Sequence, residues 1–134
     1  MTFVRFVISD LHPDSGVRNG LFDLAYALRD SDDVLEEHRQ LLADHLAWFA
    51  KNLAKPKRFN RSSSKGYYRR ATKGIAWFRD SAGDHIARMH EMKRIAELYG
   101  HTVEVILEER VGYLVYEDEA QVVAEPFADT RTEA

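Results

Sequence analysis

Cysteine is absent from this chain, which excludes disulfides, thiolate nucleophiles and cysteine-based zinc sites. The same absence leads us to expect a cytoplasmic protein. No uncharged run approaches the ~18 apolar residues that a membrane span needs. The N-terminal MTFVRF lacks the apolar core and small-residue cleavage site of a signal peptide. No internal repeat is visible, and Gly16-Val17-Arg18-Asn19-Gly20 does not have the spacing of a phosphate loop. The most informative gap concerns acids: from His45 to Arg79 there is neither Asp nor Glu.

Ten basic residues stand in that window: Lys51, Lys55, Lys57, Arg58, Arg61, Lys65, Arg69, Arg70, Lys73 and Arg79. The whole chain carries 19 Lys+Arg and 22 Asp+Glu, so the window stands at +10 and the remainder at −13. A formal net charge of −3 conceals this division. At 134 residues, with 45% apolar and 31% charged residues, the chain reads as one globular domain spanning 1–134.

Residues Thr2 to Ser9 are rich in β-branched and aromatic types and predict a strand. Val4, Phe6 and Ile8 form its fully apolar face and should meet the core. Asp10 to Gly16 reads as a loop, after which Asp14 or Ser15 can cap a helix carrying the stripe Val17, Leu21, Leu24 and Leu28. Asp33 and Glu36 have the spacing of a capping box for a second helix, from about Val34 to Leu53. Pro56 should end it. Residues 55–66 form a polar, basic loop, the best candidate for mobility.

From Ala71 to Tyr99 apolar residues recur at steps of three or four, which predicts one long helix, or two in line if Gly74 and Gly83 break it. Gly100 suits the left-handed closing position. Thr102–Glu108, Gly112–Tyr116 and Ala120–Glu125 read as three strands of an antiparallel meander, followed by a frayed tail over 128–134. The expected fold is α+β: a four-stranded, mainly antiparallel sheet, one N-terminal strand plus the meander, with helices on one face.

The segments SDLHPDSG and GYLVYEDEAQVVAEPF, with AWF between them, resemble a set of small uncharacterised bacterial proteins. The resemblance covers most of the chain. It implies a single domain and carries no activity, cofactor or catalytic residue.

Several groups of residues could carry chemistry. Lys57, Arg58, Arg61, Lys65, Arg69, Arg70 and Lys73 offer long cationic side chains to phosphates, and Tyr67 and Tyr68 are interleaved as stacking surfaces for single-stranded nucleic acid. The bland counterpart is that these cations fold back on the chain's own acids, Glu117-Asp118-Glu119 among them. His12, Ser15 and Arg18 mark a possible small-anion loop at a helix start, and with Asp10 a possible site for a small hydrolase-type enzyme. As a capping turn the same residues are fully explained. His38 and His45 lie roughly 10 Å apart along a helix, and His85 and His90 point about 140° apart, so neither pair suits one metal ion. Buried, hydrogen-bonded histidines are the expectation. The acids of the Glu117-Asp118-Glu119 turn should point in different directions.

These features lead us to expect a small non-enzymatic binding protein that uses residues 51–73 to hold a polyanion, nucleic acid first. It would need no cofactor and would not engage a membrane. The alternative is a protein-interaction or regulatory module that binds an acidic protein surface or forms a homodimer.

Overall fold

A computed structural model describes residues 2–11, 18–54 and 75–125. Strand β1 (Phe3–Leu11) is followed by a short strand β2 (Arg18–Gly20), then helices α1 (Leu21–Arg29) and α2 (Glu36–Asn52). Strand β3 (Ile75–Arg79), helix α3 (Gly83–Leu98) and strands β4 (Val103–Glu108), β5 (Tyr113–Glu117) and β6 (Gln121–Glu125) complete the order. The class is α+β, as expected. The sheet has six strands, all paired antiparallel, where four were expected.

β1 is an interior strand with three partners. β4 takes one of its edges over six residues, from Phe3↔Glu108 to Ile8↔Val103. β3 and β2 take successive stretches of the other edge, at Phe3↔Arg79 and at Val7↔Gly20. The strand order is β4-β1-β3-β6-β5, with β2 beside the far half of β1. Both faces of β1 are therefore covered. Val4, Phe6 and Ile8 meet the helices, as the alternation predicts, and Val7 lies fully buried on the other side.

The helix-side core joins that face to Leu21, Leu24 and Leu28 of α1, Leu42, Leu46 and Phe49 of α2, and Met89, Met92 and Ile95 of α3. A second cluster lies on the opposite face: Val7, Ile75, Trp77, Ile106, Val111, Val122 and Ala124. No described helix covers it. The link between β4 and β5 contributes Val111 to it. In a flat sheet those outer strands would stand about 19 Å apart, four inter-strand spacings. The five residue steps from Glu108 to Tyr113 reach only about 17 Å, and the registers stagger the two residues along the strands as well. The sheet must therefore curl toward its second face. Val111 of the link is packed into the cluster there.

Four sequence expectations are corrected. The C-terminal strands do not form a three-stranded meander: β4 pairs with β1, and only β5 and β6 pair with each other. Residues 109–112 had the composition of a tight turn, yet they cross the sheet and bury Val111. The long helix over 71–99 is not formed. Ile75–Arg79 is a strand between β1 and β6, and a tight turn, with Ala82 N–H donating to Arg79 O at 2.9 Å, precedes α3. Five residues are too short for spacing to separate the two periods, and the β-rich IAWFR satisfies both. Helix α1 starts at Leu21 with Gly20 as its N-cap, so Asp14 and Ser15 do not cap it, and Arg18 belongs to a strand. The capping box at Asp33 and Glu36 is not made either. Leu35 is the N-cap of α2, and its N–H donates to Tyr99 Oη at 3.0 Å.

Gly100 closes α3 as predicted, at φ +87°. Its N–H donates to Glu97 O, and that of His101 to Ala96 O, the paired bonds of a Schellman cap. This turn reverses the chain and lays β4 against β1.

Leu42 and Leu107 separate burial from residue type. Leu42 is fully buried and Leu107 is 59% exposed. Urea unfolding should show Leu42→Ala losing about 3–5 kcal/mol and Leu107→Ala within about 0.5 kcal/mol of the parent.

Candidate functional site

The end of α2, the start of α3 and the β5–β6 turn converge on an open groove of about 910 Å³. Lys51, Asn52 and Ala54 form one wall, Ser81, Asp84 and His85 the second, and Asp118 and Glu119 the third. The groove lies where the chain leaves α2 toward residues 55–74.

Two side chains from other elements hold that exit. His85 Nε2 donates to the Asn52 carbonyl at 2.9 Å, and its ring packs edge-on to Trp48 at 4.7 Å between centroids. Gln121, only 3% exposed, donates through Nε2 to the Ala54 carbonyl at 2.6 Å. A helix ends with carbonyls that lack intrahelical partners, and here α3 and β6 supply donors to them or just beyond.

The acidic turn is built from within. Asp118 Oδ1 accepts from the Ala120 and Gln121 N–H groups at 2.8 and 2.9 Å, and Oδ2 accepts from Tyr116 Oη at 2.9 Å. Burial pushes the Asp118 carboxyl up, but these bonds together hold it below its ordinary 3.8. The same contact raises the Tyr116 hydroxyl, mainly through its bond to Asp118. Glu117 faces Arg79 Nη2 at 3.4 Å, and Arg79 Nε donates to the Asp118 carbonyl at 2.7 Å. Glu117 and Asp118 thus take different partners, and Glu119 is exposed.

Arg79, the last cation of the acid-free window, is thus matched by the chain's own acidic turn. Lys51, the first, is exposed on the last turn of α2. Lys57, Arg58, Arg61, Lys65, Tyr67, Tyr68, Arg69, Arg70 and Lys73 lie outside the described residues. So do His12 and Ser15 of the possible anion loop, while Arg18 sits in β2 opposite Leu11 of β1. The helix start expected just after Asp14 or Ser15 lies five or six residues further on, at Leu21.

The histidines divide. His38 Nδ1 lies 2.6 Å from Tyr99 Oη, His45 Nδ1 3.2 Å from Arg88 Nη1, and His85 bonds to Asn52 O. Each is hydrogen-bonded, as expected, but only half-buried rather than buried. His90 is exposed and meets the Phe6 ring edge-on at 5.0 Å. Among the described residues no three His, Asp or Glu side chains converge to hold a metal ion. Nor is any described helix long and apolar enough to cross a membrane. Sequence reading missed Gln121 and Arg88, because a polar residue acquires such a role only from the strand or helix that tertiary pairing sets beside it.

Asp118 makes the turn sensitive to acid. Its folded-state carboxyl titrates below the ordinary 3.8, so the stabilisation is present above that value and is lost as pH falls through the lower folded value. Asp118→Asn should be less stable than the parent at pH 7, and its stability should fall less steeply below pH 4 in acid unfolding monitored by circular dichroism.

In comparisons with protein-family models, curated proteins and solved structures, nothing matches this chain.

Proposed function

We propose that this chain is a small binding protein whose segment 51–73 holds a polyanion, nucleic acid first. One observation carries the reading: the chain from His45 to Arg79 has ten cations and no acid, beside a remainder at −13. Long Lys and Arg side chains neutralise phosphates and release counterions, and interleaved Tyr67 and Tyr68 give bases a surface to stack on.

One described ion pair takes a cation of the window, Arg79 with Glu117 at 3.4 Å, and leaves nine. Arg29–Asp30, Arg39–Glu36, Lys93–Glu97 and Arg94–Glu91 match acids to cations from outside the window. Asp118 is occupied by backbone N–H groups and by Tyr116. Each of these carboxylates has a described partner outside the window. The segment is also held at both ends against β6, through Ala54 O to Gln121 and through Ile75↔Ala124. Anchoring its ends lowers the ordering entropy that binding must overcome.

A second reading, a protein-interaction module or homodimer, is favoured by apolar exposure on the outer strands. Tyr113 is 68% exposed on β5, and Leu107 stands out on β4. Light scattering with a pull-down separates the two readings, because a strict monomer without a protein partner that binds oligonucleotide leaves only the first.

Fluorescence anisotropy with a single-stranded oligonucleotide should show affinity falling steeply with salt. Arg61, Lys65, Arg69 and Arg70 changed together to Ala should weaken binding at least tenfold. The log–log salt slope should drop by roughly 3, about 0.7 per lost phosphate contact, with the unfolding midpoint unchanged. Absence of any binding to DNA or RNA at low salt would end this reading.

A further inference from the structure

Helices α2 and α3 meet along a seam where three histidines each make one polar contact across the interface. His38 meets Tyr99 Oη, His85 meets the Asn52 carbonyl, and His45 meets Arg88 Nη1. A proton affects these contacts differently. A carbonyl only accepts, so His85 Nε2 is already a donor there, and a second proton on Nδ1 leaves the bond in place. A tyrosine hydroxyl can donate or accept, so the His38 contact survives either state. A guanidinium only donates. His45 Nδ1 must therefore accept, with its own hydrogen on Nε2. Protonating Nδ1 would set two donors and two positive charges 3.2 Å apart.

We propose that the His45–Arg88 contact is a proton-controlled clasp between α2 and α3. Proton uptake at His45 Nδ1 expels the Arg88 guanidinium, withdraws it from the Trp48 ring, and loosens the wall of the groove. The guanidinium carbon stands 4.4 Å from the Trp48 ring centroid, so a cation–π contact is lost with the hydrogen bond. Trp48 also packs against His85, and His85 holds Asn52 at the groove. The disturbance therefore reaches the point where α2 passes the chain to residues 55–74.

The charged groups around His45 act in opposite directions. Arg88 on α3 disfavours its protonation, while Glu91 on α3 and Asp44 on α2 favour it. Both acids are already engaged, Glu91 with Arg94 at 2.8 Å and Asp44 with Gln40 at 3.0 Å. Burial and then Arg88 keep His45 below its ordinary 6.5. The clasp is accordingly intact above pH 6.5 and lost as pH falls through the lower folded value. It is independent of whether residues 51–73 bind a polyanion.

The test uses the full chain, with imidazole NMR shifts and tryptophan emission followed from pH 8 to 4.5. At pH 7.5 His45 should be the Nε2–H tautomer, and it should titrate below the ordinary imidazole value of 6.5. Trp48 emission should change with the same midpoint, and Trp48→Phe should remove the change. His45→Gln keeps an acceptor for Arg88 but cannot titrate, so it should abolish the emission step. His85→Gln should retain it. Titration of His45 at or above 6.5 would overturn the proposal, as would a step that survives His45→Gln or vanishes in His85→Gln. Should His45→Gln fail to fold, the wild-type imidazole titration decides alone.

Discussion

β1 is used on both edges and both faces, and the rest of the molecule is arranged by that fact. Its edges are occupied by β4 on one side and by β3 and β2 on the other. Its faces supply Val4, Phe6 and Ile8 to the helix layer and Val7 to the second cluster. A strand so enclosed has no room for a one-residue slip, which would exchange its two side-chain sets. The placement of β3 follows from it, and β3 in turn brings β6 and β5 to the far edge.

The curl of the sheet is the price of joining β4 to β5 by so short a link. Trp77, Ile106 and Val122 are almost completely buried on the face toward which the sheet curls. Arg79, at the end of β3, then falls beside the β5–β6 turn and is matched by Glu117 and the Asp118 carbonyl. The groove forms where that turn, the end of α2 and the start of α3 come together. Residues 55–74 start from its edge, so the charge division of the sequence and the groove of the fold lie next to each other.

The seam between α2 and α3 shows how polar residues can hold a helix pair. Tyr99 Oη serves both His38 and the N–H of Leu35, which replaces the capping box that Asp33 and Glu36 do not make. Arg88 covers Trp48 and meets His45. Such contacts contribute less than the burial of Leu42 and Met92, but they carry the sensitivity to protons that the apolar core lacks.

Local rules made several features readable in the chain itself. Alternation in β1 identified the face that meets the helices, the stripe Leu21, Leu24 and Leu28 gave the buried side of α1, and Gly100 marked the turn after α3. The separation of ten cations from the acids is likewise a property of composition, independent of fold. Strand order and the character of residues 75–79 were not readable. IAWFR satisfies a helical step and a strand alternation equally well, and its neighbours in the sheet are remote in sequence. Only long-range pairing could decide that Ile75–Arg79 lies between β1 and β6, because a strand's hydrogen bonds, unlike those of a helix, are completed by residues elsewhere in the chain.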